Sequence, residues 1–546
     1  GAARDGGPVS AGVRARVTAQ LIDVLNGYLD LRWRMDPVEA TYVGRHDLDG
    51  MFASYTPERV REYLAALRSY AGSLEEVEAD SLEDEIDRTA ALHAARHDIL
   101  ILERERPFVS NPAYLLGHAL NGLYLLLARN AQDPSRRAAA LLERLRALPE
   151  YLHEAAETAT KPVSIFIDAA SAMIPGGLTL VQEALDHPAV DLTSLDPAEL
   201  EAAREGATAA LMEFSDALVA MRDRETDDFA IGRDLFDRKL HTAHMIRENA
   251  DELLRYGERL RAEAEATRAR ITEEIAPGAT WRDVLCRLRE DMPSPESAIE
   301  EYTDAMRAAR DYTSTRALMH VTPAALDVEP TPPFLRALTP FAAYQGPGAF
   351  DTEQTGIFFV TLPEPGQPWR THCRGELLST AVHEGVPGHH EQISTANALA
   401  RPIRRVLATP AAQEGWALYC ETLMLEQGLL STPAQRFFQA HHLLWRALRV
   451  ILDVSLHTRG MSMQQAAQVL QDELGFDPAS AEAEARRYCA YPTYQVCYAV
   501  GRRDILQLRD DVRASRGAEF SLAAFHDELL GYGALPTALA RWGMGG

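Results

Sequence analysis

Cysteine is scarce. Five thiols, at positions 286, 373, 420, 489 and 497, are scattered through 546 residues with no C-x-x-C pair. An odd, dispersed set excludes a disulfide framework and points to a reducing, cytoplasmic setting. Positive charge is also in short supply: 55 Lys and Arg stand against 80 Asp and Glu, a net charge of −25. Phosphate recognition depends on clustered basic side chains, so a nucleic-acid partner is not expected. Long apolar runs are missing, none approaching the roughly 20 residues of a membrane span. The opening residues, GAARDGGPVSAGVRARV, contain no apolar core of a secretion signal. The expectation is a protein with neither nucleic acid nor membrane as partner. Alternating, strand-like runs are rare as well, and no fixed-period repeat suggests a solenoid.

What is present is helix after helix. The apolar fraction is 46% and the charged fraction 25%, enough to bury a large core. In TPERVREYLAALRSYAG, Thr56 is placed to cap and Pro57 to open a helix, with Val60, Leu64, Leu67 and Ala71 recurring at helical spacing. Ser81 opens a second such segment, and long Ala/Glu/Arg/Leu stretches follow at 133–158, 196–222 and 234–274. Near residue 321 the texture turns Pro- and Gly-rich, ending in GIFFVTL (356–362), the best strand signal in the chain. Helices resume near 375. The predicted fold is mainly α, a large helical protein with a deep cleft and a small β element beside the helix that carries the chemistry. Residues 1–320 would form a helical N-terminal half and 321–546 a catalytic half, together one cleft-containing unit.

The chemistry centres on AVHEGVPGHHEQIS, residues 381–394. In an H-E-x-x-H helix, two histidines four apart share a face and bind zinc, with the Glu as base. Here Pro387 stands where the second histidine belongs, and histidines follow at 389 and 390. On a regular helix His383 and His390 would lie about 10.5 Å apart along the axis, too far for one ion. Pro387 and Gly388 can break that regularity. A two-residue bulge there would make His389 the equivalent of the missing ligand, with His390 as the alternative. A third ligand is required, and AAQEGWALYCETLMLEQG offers Glu414 and Glu421 on one helix face. Either could ligate while the other orients a histidine. The pairs His93/His97 and His241/His244 also have helical spacing but no adjacent base, and read as structural.

HEGVPGHH followed by EGWALYCE resembles the bacterial family called domain of unknown function 885, most specifically over about 340–505. Further matches are Asp453, His457 and Gly460 in ILDVSLHTRGMS, the Arg487-Tyr488 pair, and Pro492, Tyr498 and Gly501. That family is placed with gluzincin-type zinc metallopeptidases. The resemblance implies that His383, His389 and Glu414 bind Zn²⁺, that Glu384 activates water, and that Tyr498 and His457 stabilise an oxyanion. Tyr494 and Glu391 depart from the family pattern, which bears on substrate preference. The expected activity is zinc-dependent hydrolysis of amide bonds in short peptides or small amides, with the strand at 357–360 aligning an extended substrate. Two other readings of the same residues stand beside it: a non-haem iron oxygenase built on two histidines and a carboxylate, and a catalytically silent peptide-binding protein.

Overall fold

The computed structural model describes residues 11–128, 133–332, 336, 341–363 and 372–545, with side chains described from residue 19 onward. The protein is mainly helical, with one small sheet. Capping behaves as the sequence requires. The Thr56 side chain accepts the Arg59 N–H and Pro57 opens the helix Pro57–Glu76; Ser81 accepts the Asp84 N–H at the head of Leu82–Leu100. The stretches at 133–158 and 196–222 become Pro134–Thr158 and Pro197–Met221. The stretch at 234–274 is two helices, Arg233–His244 and Ala250–Ile275. Met245 adopts a left-handed φ of 55°, and Asn249 with Glu252 forms a capping box that restarts the chain.

One helix is more apolar than the sequence reading allowed. Ser164–Ala184 is long and apolar enough to cross a membrane by length and composition. It lies instead against Pro112–Ala128 and Pro197–Met221, with Ile167, Ala170, Leu180 and Val181 in the core. An apolar core is shared across residue 320: one cluster runs from Tyr28, Leu116 and Leu145 to Trp416, Tyr419 and Phe525.

The sheet comprises β1 (Leu326–Pro330), β2 (Ala342–Gln345) and β3 (Gly356–Val360), in the order β1-β3-β2. β3 pairs parallel with β1 and antiparallel with β2. The predicted strand is therefore present but central, with both edges occupied, so it has no free edge to align a substrate. Its role is support. Phe358 and Val360 pack with Tyr302 and Met306 against Leu377 and Ala381, on the inner face of the helix Arg374–Glu384 that carries His383.

Candidate metal centre

The re-spaced motif is a helix break, wider than the predicted two-residue bulge. One helix ends at Glu384 and the next, His389–Asn397, begins at His389; residues 385–388 lie between them. Gly388 is needed at the turn, because a Cβ there would lie 2.0 Å from the His383 carbonyl oxygen. The Pro387 carbonyl accepts the Trp416 indole N–H at 2.8 Å, so the EGWALYCE segment ties down the break that HEGVPGHH creates. That segment lies in the helix Pro410–Gln427, capped by Thr409.

The break turns His383 and His389 toward one another, their ring centroids 4.9 Å apart. Glu414 completes the group: its Oε2 lies 3.7 Å from His383 Nε2 and 3.4 Å from His389 Nε2. Ligand atoms of all three residues fall within 4.8 Å of one another, and among the described residues no other such group of His, Cys, Asp or Glu occurs. Two ligands at about 2.0–2.1 Å from a tetrahedral zinc are about 3.3–3.4 Å apart. The spacing and the donor set fit a zinc-sized ion.

Glu421 lies outside this group. Its Oε1 sits 2.7 Å from His383 Nδ1, which fixes that ring with Nε2 facing the cradle, the carboxylate–histidine arrangement typical of metal sites. Burial would push the His383 imidazolium down, but the adjacent Glu414 carboxylate, the hydrogen bond to Glu421 and the nearby Glu384 charge outweigh it, raising its pKa to about 10. Burial raises the Glu414 carboxyl, yet the adjacent His383 and His389 rings overcome this and hold it well below the usual carboxylate range. The remaining Glu414 oxygen accepts the Tyr494 hydroxyl at 2.6 Å. Glu384, at the end of its helix, is partly exposed and makes no side-chain hydrogen bond among the described residues.

Two sequence assignments need correction. His390, the alternative ligand, faces away: its Nδ1 meets the Tyr344 hydroxyl at 2.9 Å and its Nε2 the Ala324 carbonyl at 3.3 Å, and burial lowers its pKa to about 4. It joins the broken helix to the sheet. His457 is fully enclosed, stacked near Phe236, with Nε2 donating to the Tyr488 carbonyl at 3.0 Å. Burial lowers its pKa to about 4, and among the described residues no hydrogen bond, ion pair or ring contact joins it to the cradle, so the geometry gives it no place beside an oxyanion. Tyr498 does stand beside the cradle, its ring 6.0 Å from that of Tyr494, and burial with the Glu414 charge raises its pKa.

The Tyr494 contact was missed at the sequence level; its departure from the family pattern was the available signal. Glu391, the other departure, accepts the Thr322 N–H at 2.8 Å and is structural. Beyond Tyr494 a cavity of about 370 Å³ opens between the halves. It is walled by Ala90, His97, Lys239 and His244 on one side, and by Pro410 and Tyr491 on the other. His93, His97 and His244 line it, and the His241 ring lies 5.3 Å from that of His93. The ligands themselves are not part of the cavity wall; Tyr494 is the link between the two.

A helical scaffold, a broken histidine helix and a second helix contributing a carboxylate define a protein with a two-histidine, one-glutamate cradle in which His383 is buried and His389 and Glu414 are half-buried. The chain belongs to the family described as bacterial protein of unknown function (DUF885), whose pattern matches residues 37–544. Two solved structures share the fold. A candidate lipoprotein of unknown function from Shewanella oneidensis is 21% identical, with a TM-score of 0.78 over 96% of this chain and 100% of that one. A candidate lipoprotein from Colwellia psychrerythraea is 18% identical, with a TM-score of 0.83 over 97% and 98% of the two chains. No curated protein matches.

Proposed function

We propose that the protein is a Zn²⁺-dependent hydrolase of gluzincin type that cleaves amide bonds in short peptides or small amides. One observation carries the reading: His383, His389 and Glu414 converge within 4.8 Å, and Glu384 immediately follows the first of them. Zinc held in such a cradle lowers the pKa of water and polarises a carbonyl. Glu384, unengaged by other side chains, takes the proton from the attacking water and passes it to the leaving amine. Glu421 keeps the His383 tautomer fixed throughout. Tyr494 is committed to Glu414, which leaves the Tyr498 hydroxyl as the donor for the developing oxyanion. Its raised pKa keeps that proton in place at neutral pH. The cavity of about 370 Å³ meets the cradle only at Tyr494, and its volume is that of a small-ligand pocket, which supports a small substrate.

The Glu384→Gln variant should keep its metal and lose turnover by about 10²- to 10⁴-fold. Wild-type rates in that variant would remove Glu384 from the mechanism. Metal analysis of the purified protein should give one zinc per chain; stoichiometric iron with oxygen-dependent turnover would favour the oxygenase reading instead. The compartment is a separate matter. Both structural relatives are described as candidate lipoproteins. Sharing that property would put this chain at a membrane surface outside the cytoplasm, against the cytoplasmic location expected from its free thiols. Cell fractionation decides between them.

A further inference from the structure

Beside the cradle lies a charge that the mechanism above does not use. Arg446 projects from the helix Pro433–Thr458, its guanidinium 5.0 Å from the Trp445 ring and 5.7 Å from the Tyr498 ring. Its Nε and Nη1 are sealed from solvent with no hydrogen-bond partner, although the side chain as a whole remains partly exposed. Among the described residues it makes no ion pair. Arg449, one turn further on, shows the usual arrangement: it donates to Glu484 at 3.2 Å and to the Tyr488 hydroxyl at 3.2 Å. Buried guanidinium donors are ordinarily satisfied, and leaving them unmade is costly.

The neighbouring carboxylates make no hydrogen bond to Arg446 among the described residues, although the Glu421 charge faces it and the second Glu421 oxygen is itself buried without a partner. Glu376 pairs with His442 at 3.1 Å, Glu421 turns one oxygen to His383, and Glu414 is shared between the two histidines and Tyr494. Burial lowers the Arg446 pKa against the opposing Glu421 charge, and a guanidinium keeps its proton in a protein. The result is a fixed, desolvated cation held between two aromatic rings, one of which belongs to the proposed oxyanion donor. A planar guanidinium in that setting is suited to a carboxylate.

We propose that Arg446 docks a carboxylate of the substrate, the free C-terminal carboxylate of a short peptide, so that the centre removes residues from the C-terminal end. This rests on the hydrolase reading. Water supplies the hydroxyl that stays with the acyl fragment and the proton that goes to the departing amine, so one C–N bond breaks and one C–O bond forms. The new amine leaves on the fragment that Arg446 holds.

The test is calorimetric binding to the zinc-loaded Glu384→Gln protein, paired with turnover by wild type. Three probes are compared: acetyl-Ala-Ala-Phe as the free acid, the same peptide as its C-terminal amide, and acetyl-Ala-Ala-Asp amide. The free acid should bind about 10- to 100-fold more tightly than its amide. Adding Arg446→Gln should erase the difference, and Arg446→Lys should restore part of it. The comparison of acid with amide in the Arg446 protein needs no second variant, so it survives if Arg446→Gln fails to fold. Equal binding of acid and amide, or no binding of either, overturns the proposal. An Arg446-dependent preference for the aspartyl amide over the free acid would assign the site to an acidic side chain and overturn the C-terminal assignment. Wild-type protein that binds the free acid through Arg446 without cleaving it would keep the anchor and remove the hydrolase reading. Cleavage of acid and amide at equal rates would do the reverse.

Discussion

Gly501→Ala is the sharpest test of how the site is held, because propensity and packing predict opposite signs. Alanine in place of glycine inside a helix stabilises by about 1 kcal/mol when nothing else changes. Gly501 lies within the helix Cys497–Arg516, where that gain should apply. Yet a Cβ there would sit 1.9 Å from the Ala411 carbonyl oxygen and 2.7 Å from the Gly415 Cα. Ordinary contact begins at 3.4 Å, so the two helices must part by about 3.4 − 1.9 = 1.5 Å. Both obstructing atoms are backbone and cannot rotate away. Overpacking of this kind costs about 1–3 kcal/mol or more, which turns the expected gain into a net loss. Glu414 adjoins Gly415, and its 2.6 Å bond from Tyr494 would stretch beyond hydrogen-bond range under the same displacement. Denaturant midpoints and zinc affinity by chelator competition read the two effects separately. A variant more stable than wild type with unchanged zinc affinity would refute the close-crossing argument.

Two further predictions address other links. His389→Asn should lose stoichiometric zinc on dialysis whereas His390→Asn keeps it, as metal analysis of both proteins will show; the opposite result would reverse the ligand assignment. His46 bridges Asp49 at 2.9 Å and Asp351 at 3.0 Å, and although burial opposes it, these hydrogen bonds raise its pKa to about 9. Its stabilising effect is therefore fully present below its ordinary value of about 6.5 and lost as pH rises through 9, on the order of 2 kcal/mol for a ring that is mostly buried. Stability measured across that range should fall in wild type and flatten in His46→Gln.

Most of the helical scaffold was legible because its signals are local: Thr56 with Pro57, and Ser81 before an amphipathic run, act within one turn. The split at Met245 was missed although the Asn249–Glu252 capping box was available in the sequence. β1 and β2 escaped notice because β1 pairs with residues 30 positions away, in register Leu326 with Gly356, and Pro-rich segments carry no periodicity to announce it. In the site, ligand types and spacing could be read, but which face each histidine presents could not. His389 and His390 are adjacent, and only the start of the second helix at His389 sends one into the cradle and the other to the sheet. His457 carried a resemblance without a contact. Arg446 gave no sequence signal, since an unpaired arginine is recognised only by what fails to surround it.

The i, i+7 spacing of Glu414 and Glu421 was the most informative ambiguity, and the structure resolves it through the two nitrogens of one ring. Glu421 holds Nδ1 of His383 while Glu414 approaches Nε2. A single helix face thus orients one histidine of the candidate cradle and supplies its carboxylate. Such an arrangement works only if the Pro410–Gln427 helix keeps its axial position relative to the broken motif to within a fraction of an ångström. Two contacts enforce that. Trp416 grips the Pro387 carbonyl on one side, and the Gly415–Gly501 crossing locks the helix against its neighbour on the other. The precision of the cradle therefore resides in helix packing, and the irregular segment at 385–388 needs only to point His389 inward.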